Sequence, residues 1–167
     1  DEAFMTRWFS VLLVTAILTG CVSTPKEHVS GFVSLHPAMT ETLFALGAGD
    51  QLIGRSDYCT TPDAALPLPT FGTALTPEIE ALANLKPTSV LLDASYGAKV
   101  DLIRGVAPVT SLPWLTKEDV VSSTLKIGAL MGTQKRAQEW ADTYKQFLWS
   151  TPEPNAPSAV LLLGNGE

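Results

Sequence analysis

The stretch that decides the fold runs from Phe32 to Tyr58 and reads FVSLHPAMTETLFALGAGDQLIGRSDY. Its apolar start, Phe32 to Leu35, is suited to a buried strand, and Pro37 fixes φ where a helix can begin. Apolar residues then recur at helical spacing until glycines end the helix: Met39, Leu43 and Leu46, followed by Gly47 and Gly49. Leu52 to Arg55 is predicted to be the next strand. The stretch is therefore a βαβ half-unit whose first loop, Leu35 to Pro37, can face a ligand.

The same alternation continues toward the C-terminus. A helix is predicted to start with Thr76 as its N-cap and Pro77 at its first position, and another to run from Ala98 to Arg104. Further strands are expected over Ser89 to Leu92 and Pro108 to Leu112. An alternating βαβα pattern predicts an α/β fold with a parallel sheet, helices on both faces, and ligands at the carboxyl ends of the strands.

The chain becomes helical from Thr116, in two pieces separated by Gly132. The second piece, Gln134 to Trp149, would span about 24 Å, long enough to leave one lobe and reach another. An apolar strand, Ser158 to Leu163, follows a proline-rich connection. We divide the chain into a lobe (31–115), a helical segment with an interlobe helix (116–150), and a linker with the first strand of an incomplete second lobe (151–167). The alternative is that the last strand joins the first sheet.

The N-terminal segment is interpreted as a targeting signal. After Met5 and Arg7 comes an apolar run too short to span a bilayer, which fits a signal peptide over residues 1–20. The motif Leu18-Thr19-Gly20-Cys21 resembles the bacterial lipobox, and this resemblance implies lipidation of Cys21 and a tether over residues 21–30. The alternative is an ordinary signal anchor in which the cysteine is incidental. A periplasmic or extracytoplasmic, lipid-anchored location at the cell envelope is expected.

The charge balance and the absent motifs argue against several functions. With 11 basic and 17 acidic residues the formal net charge is −6, which disfavours binding to nucleic acid. The chain has no glycine-rich nucleotide loop and no nucleophile elbow, so we assign no enzymatic reaction and no catalytic cofactor. His36 lacks the partners that a metal site would need, since the other histidine, His28, lies in the tether. We expect His36 to contact a ligand or to cap the helix.

Several motifs in order resemble those of the cobalamin-type periplasmic binding proteins of ABC transporters, the class that also binds haem and iron siderophores. The resemblance covers Phe32 to the end of the chain. Its motifs are Val33-Ser34-Leu35-His36-Pro37 with Thr40-Glu41, Leu46-Gly47-Ala48-Gly49-Asp50, Ile53-Gly54, Asp57-Tyr58-Cys59 and Leu85-Lys86-Pro87. The resemblance implies two α/β lobes joined by one long helix, here Gln134 to Trp149, with the ligand held between them.

The resemblance also implies which residues bind. The cleft loops would be Leu35 to Ala38, Asp57 to Cys59, Thr70 to Thr73 and Asp93 to Gly97. The expected ligand contacts are His36, Pro37, Tyr58, Phe71 and Tyr96. An exposed acid on the helix before Lys86 meets the permease in such proteins; Glu80 would have this role, with Glu78 as the fallback.

Three functions remain open. The first is a monomeric, lipid-anchored receptor that carries cobalamin or a related corrinoid to an ABC permease and its ATPase, with haem and ferric siderophores as alternative ligands. The second is an enzyme on an α/β scaffold. The third is a lipoprotein that has kept the fold as a sensor without transport.

Overall fold

The fold is a parallel α/β layer structure, seen in a computed structural model that describes residues 30–149. Four parallel strands form one sheet in the order β2-β1-β3-β4. Their bounds are β1 Phe32–Ser34, β2 Leu52–Arg55, β3 Ser89–Asp93 and β4 Val109–Leu112. The α/β class and the parallel sheet predicted from the sequence are confirmed. The predicted signal peptide, Cys21 and the strand from Ser158 to Leu163 lie outside the described residues.

Five α-helices accompany the sheet within residues 30–149: α1 Pro37–Ala45, α2 Ile79–Leu85, α3 Ala98–Arg104, α4 Lys117–Met131 and α5 Gln134–Trp149. The bounds of α3 and α5 agree with the sequence prediction, and Gly132, at φ 73°, ends α4 as expected. None of the helices in this part of the chain is long and apolar enough to cross a membrane.

Two separate cores cover the two faces of the sheet, because successive strand residues point to opposite sides. On the first face Leu91 contributes to a core with α1, α4 and α5, whose buried members are Phe32, Met39, Leu43, Leu46, Ala48, Leu52, Leu112, Ile127, Met131 and Ala137. On the second face Val90 and Leu92 pack with α2 and α3, together with Val33, Leu35, Phe71, Ala74, Leu82, Val100, Ile103 and Ala107. The predicted stripe of α1, Met39, Leu43 and Leu46, is confirmed as buried.

The strand order places a topological switch between β1 and β3. The chain leaves β1 for α1 on the first face, whereas it leaves β3 for α3 on the second face. The two loops therefore diverge at the carboxyl ends of neighbouring strands and open a crevice, the usual ligand position in open α/β sheets. His36 follows β1 and Asp93 ends β3, so both residues lie at this crevice.

The predicted start of α2 is wrong by two residues. The helix begins at Ile79 with Glu78 at the N-cap, not with Thr76 as the cap and Pro77 at the first position. The Thr76 hydroxyl lies 2.9 Å from the Thr73 hydroxyl, and the Thr76 backbone N–H donates to Thr73 Oγ1 at 3.0 Å. A turn over residues 73–76 therefore uses the side chain that the sequence pattern assigned to the helix.

Candidate functional site

The carboxyl ends of β1, β2 and β3 meet around a small cavity of about 70 Å³. The side chains and backbone that line it come from four loops: Leu35, Pro37, Ser56, Tyr58, Thr73, Ala74, Leu75 and Tyr96. Three of the five ligand contacts predicted from the sequence, Pro37, Tyr58 and Tyr96, are thus brought together. The cavity combines aromatic faces with hydroxyl groups, which suits a ligand that is partly apolar and partly polar.

Tyr58 stands on a loop whose backbone is held on two sides. Ser56 donates its N–H to the carbonyl of Ser34 at 2.8 Å, and Asp57 donates to the carbonyl of Gly72 at 2.9 Å. The Tyr58 N–H itself donates to Ser56 Oγ at 3.2 Å. The Tyr58 side chain is nevertheless 72% exposed. A fixed backbone therefore presents a ring that has little contact with the rest of the described fold.

A buried polar cluster of Ser34, Thr40 and Cys59 lies beneath the loops after β1 and β2. The Thr40 hydroxyl donates to Ser34 Oγ at 2.8 Å and lies 3.1 Å from the Cys59 sulfur. The Cys59 thiol in turn approaches the Ser34 carbonyl at 3.6 Å. Burial raises the pKa of the Cys59 thiol, against the hydrogen bond from Thr40. The raised pKa favours the protonated thiol, and its contacts with Thr40 and the Ser34 carbonyl connect the two loops.

His36 caps α1 and faces β3. The Met39 backbone N–H donates to His36 Nδ1 at 3.4 Å, so the neutral ring carries its proton on Nε2. Nε2 lies 3.8 Å from Asp93 Oδ2, and the imidazole centroid is 5.8 Å from that of Trp114. Desolvation lowers the pKa of His36, while the carboxylate of Asp93 acts to raise it. The ring is thus a neutral hydrogen-bond donor at the crevice between β1 and β3.

Tyr96 ends a short 3-10 turn, Ala94–Tyr96, that follows β3 directly. The carboxylate of Asp93 accepts from the Ser95 N–H at 2.8 Å and so fixes the start of the turn. Tyr96 is half-buried and leans on the core of the second face. Its ring therefore closes the β3 side of the cavity.

Phe71 does not present a free ring at this edge. Its side chain is 7% exposed and belongs to the core of the second face. The ring fills the space above Gly54, where a Cβ atom would come 2.4 Å from Phe71 Cε2. Phe71 therefore has no free ring face at this edge in the structure, because Gly54 leaves room for the ring to pack in the core; its contact with a ligand stays a prediction. We omit Phe71 from the contacts proposed below.

Glu80 is exposed on α2, as its helical position predicted. It lines an open groove of about 550 Å³ along this helix, together with Pro77, Glu78, Ile79, Ala81 and Asn84. The groove is larger than the cavity at the strand ends, but its described residues come from one short segment and two of them are acids. Its open shape suits contact with another macromolecule better than enclosure of a small ligand. The role of Glu80 stays a prediction.

Several site residues were not singled out from the sequence. Ser56, Ala74 and Leu75 line the cavity, and Trp114 contacts His36. Ser56 directly follows β2 and Trp114 lies two residues after the end of β4, positions that could have drawn attention to them, whereas Ala74 and Leu75 reach the site through an irregular turn. Within residues 30–149 no three His, Cys, Asp or Glu side chains are grouped so that they could hold a metal ion.

Three known proteins illustrate what the chain is similar to. An uncharacterised ABC transporter substrate-binding lipoprotein of Bacillus subtilis, YvrC, is 29% identical over 131 residues, covering 75% of this chain and 41% of the relative. The vitamin B12-binding protein of Vibrio cholerae is 36% identical over 67 residues, covering 40% of this chain and 23% of the relative. The solved structure of a periplasmic haem-binding protein from Pseudomonas aeruginosa has a TM-score of 0.65 at 24% identity, covering 71% of this chain and 44% of that one.

The chain thus spans less than half the length of these curated relatives. The family model described as "Periplasmic binding protein" matches residues 32–154, which include the whole sheet and all five helices. The chain belongs to the periplasmic binding protein family.

Proposed function

We propose that this chain supplies one lobe of the substrate-binding protein of an ABC importer, and that it binds cobalamin or a related corrinoid at the carboxyl edge of its sheet. The observation that carries the proposal is the cavity in which Pro37, Tyr58 and Tyr96 converge. Family membership supports a role in binding rather than in catalysis. The ligand would lie between this edge and a second lobe, and α5 would connect the two lobes.

The chemistry of the edge supports a corrinoid. Such a ligand is broad, apolar over its ring faces and edged with amides. Tyr58 offers an exposed aromatic face for the ring, and the neutral His36 can donate from Nε2 to an amide carbonyl. The similarity to the vitamin B12-binding protein of Vibrio cholerae points in the same direction. Haem and ferric siderophores are the alternatives, and the likeness to a haem-binding structure favours haem among them.

Two further parts of the proposal concern location and delivery. Lipidation of Cys21 would hold the protein at the outer side of the cell membrane, with residues 21–30 as the tether. Glu80 would contact the permease, and its exposure beside a groove that includes Glu78 supports this role. Two acids close together favour a basic partner surface and would speed its approach.

Side-by-side calorimetric titrations test the ligand assignment. The protein expressed from its complete reading frame is titrated with cobalamin, cobinamide, haemin and a ferric hydroxamate siderophore. We expect saturable binding of the two corrinoids and a weaker response to the others. Saturable binding of haemin or the siderophore alone would transfer the assignment to that ligand. Flat titrations with all four would contradict the proposed function.

A further inference from the structure

The loop that follows β4, Pro113 to Thr116, lies at the same edge as the cavity but does not line it. Strand β4 pairs in parallel with β3, and Leu112 is in register with Asp93. Because the strands are parallel, the residues after Leu112 emerge beside the β3 turn that carries Tyr96. Sequence reasoning did not select this loop.

Both ends of the loop are fixed by hydrogen bonds. At its start the Ser123 hydroxyl donates to the Pro113 carbonyl at 2.7 Å. At its end Thr116 and Asp119 form a reciprocal capping box, with bonds of 3.0 and 3.1 Å. The two residues between these anchors, Trp114 and Leu115, therefore have little freedom to withdraw from the position in which they are held.

These two residues differ in burial. Trp114 is half-buried against the core of the first face, and its ring tilts by 52° against the imidazole of His36. Leu115 is 86% exposed, the largest fraction among the exposed large apolar side chains of the described residues. A single exposed leucine is ordinary on a protein surface. Leu115, however, is fixed outward next to Trp114, which contacts His36, and two further apolar side chains, Tyr58 and Leu75, are exposed at the same edge by 72% and 59%.

We propose that the loop from Pro113 to Thr116 is a further ligand-contacting loop, in which Leu115 covers an apolar edge of the ligand and Trp114 positions His36. The inference rests on the proposed function and extends it. From β2 to β4 the sheet crosses three strand spacings, about 14 Å in all. A ligand that contacts both Tyr58 and Leu115 must be about this broad, which suits a macrocycle and excludes a single sugar or amino acid.

The test compares two exposed leucines. Leu115→Ser is matched with Leu102→Ser, because Leu102 is 48% exposed on α3, away from the strand ends. Both variants and the wild type, each from the complete reading frame, are titrated with cobalamin and haemin, and their melting temperatures are measured without ligand. We expect Leu115→Ser to weaken the binding of the preferred ligand about tenfold. Leu102→Ser should bind like the wild type, and Leu115→Met should recover most of the loss.

The outcomes separate this inference from the proposed function. Wild-type binding with equal affinity in Leu115→Ser would overturn the inference and leave the proposed function standing. A loss of affinity that accompanies a lower melting temperature of the ligand-free variant would also overturn it, since Leu115 would then pack against protein. Absence of binding in the wild type would overturn both.

Discussion

The loops after β2 and β3 each bring a tyrosine to the same cavity, but they hold it differently. The β2 loop is fixed through its backbone and through the buried Cys59, while the Tyr58 ring stands 72% exposed. The β3 turn is fixed by one carboxylate, and the Tyr96 ring leans on the core. One tyrosine is thus positioned by its backbone and the other by its own packing. A substitution of Tyr58 should therefore change ligand binding but hardly the stability of the fold, whereas a substitution of Tyr96 should change both.

The largest loss of stability is expected at Gly54 of β2, which lies beneath the Phe71 ring. In Gly54→Ala the new methyl group would lie 2.4 Å from Phe71 Cε2 and 3.2 Å from Val33 Cγ2. Both neighbours are buried, so the free energy of unfolding should fall by about 1–3 kcal/mol. Gly97→Ala is the counterpart on the β3 side, where no atom lies within 4 Å but φ is 48°. Its cost should be about 1–3 kcal/mol from backbone strain alone, because φ 48° with ψ −113° is a conformation that residues with a Cβ atom rarely adopt. Urea unfolding measures both, and an unchanged Gly54→Ala would contradict the described packing.

The next largest loss of stability is expected in the buried cluster of Ser34, Thr40 and Cys59. Thr40→Val keeps the shape of the side chain but removes the hydroxyl that connects Ser34 and Cys59. We expect a loss of about 1–2 kcal/mol in the free energy of unfolding and faster labelling of Cys59 by a thiol reagent under native conditions. Peptide mapping distinguishes Cys59 from Cys21. Thr40→Ser retains the hydroxyl and is the control; equal labelling rates in both variants would show that the cluster does not hold the β2 loop.

Smaller losses of stability are expected when the two tyrosines, Tyr58 and Tyr96, are substituted. Tyr58→Ala should change the free energy of unfolding by less than about 0.5 kcal/mol, because the side chain is mostly exposed. Tyr96→Ala should cost about 1 kcal/mol, since half-buried apolar surface is lost from the second core. Thermal and urea unfolding of the two variants measure the difference. Equal losses would mean that the two rings are supported alike, which would remove the contrast between the loops.

The smallest expected effect is the dependence of folding stability on pH that comes from His36. Because desolvation lowers the pKa of His36 below its ordinary 6.5, the unfolded chain binds more protons than the folded protein just below that pH. Stability should therefore rise with pH up to about 6.5. In Asp93→Asn the pKa of His36 should fall further, because the carboxylate that raises it is gone. NMR titration of the imidazole resonances measures this pKa, with His36→Gln identifying the signal. A pKa that rises in Asp93→Asn would contradict the geometry.

Much of this fold follows from local patterns in the sequence. The period of Met39, Leu43 and Leu46 defines the buried side of α1, and the bounds of α5 follow from Gly132 and the apolar stripe beyond it. The start of α2 does not follow from a local pattern. Thr76 can cap a helix or join a turn with Thr73, and only the tertiary structure decides between these two roles.

The site was predictable to a similar extent. Parallel topology places the loops that follow strands at one edge, and the family resemblance then selected Pro37, Tyr58 and Tyr96 in those loops. The burial of Phe71 depends on Gly54, a residue 17 positions earlier in the chain, and a one-dimensional pattern does not show that the two pack together. The contact between Trp114 and His36 joins loops of strands that are not neighbours, β1 and β4, and follows only from the strand order.

Amide chemical-shift mapping with cobalamin tests most directly whether the ligand binds at the carboxyl edge of the sheet. The protein from its complete reading frame is labelled with ¹⁵N and its amide spectrum is recorded as cobalamin is added. The largest shifts should fall in the four loops around the cavity, at residues 35–38, 56–58, 73–75 and 94–96. Shifts concentrated instead along the α2 groove, from Pro77 to Asn84, would contradict the account.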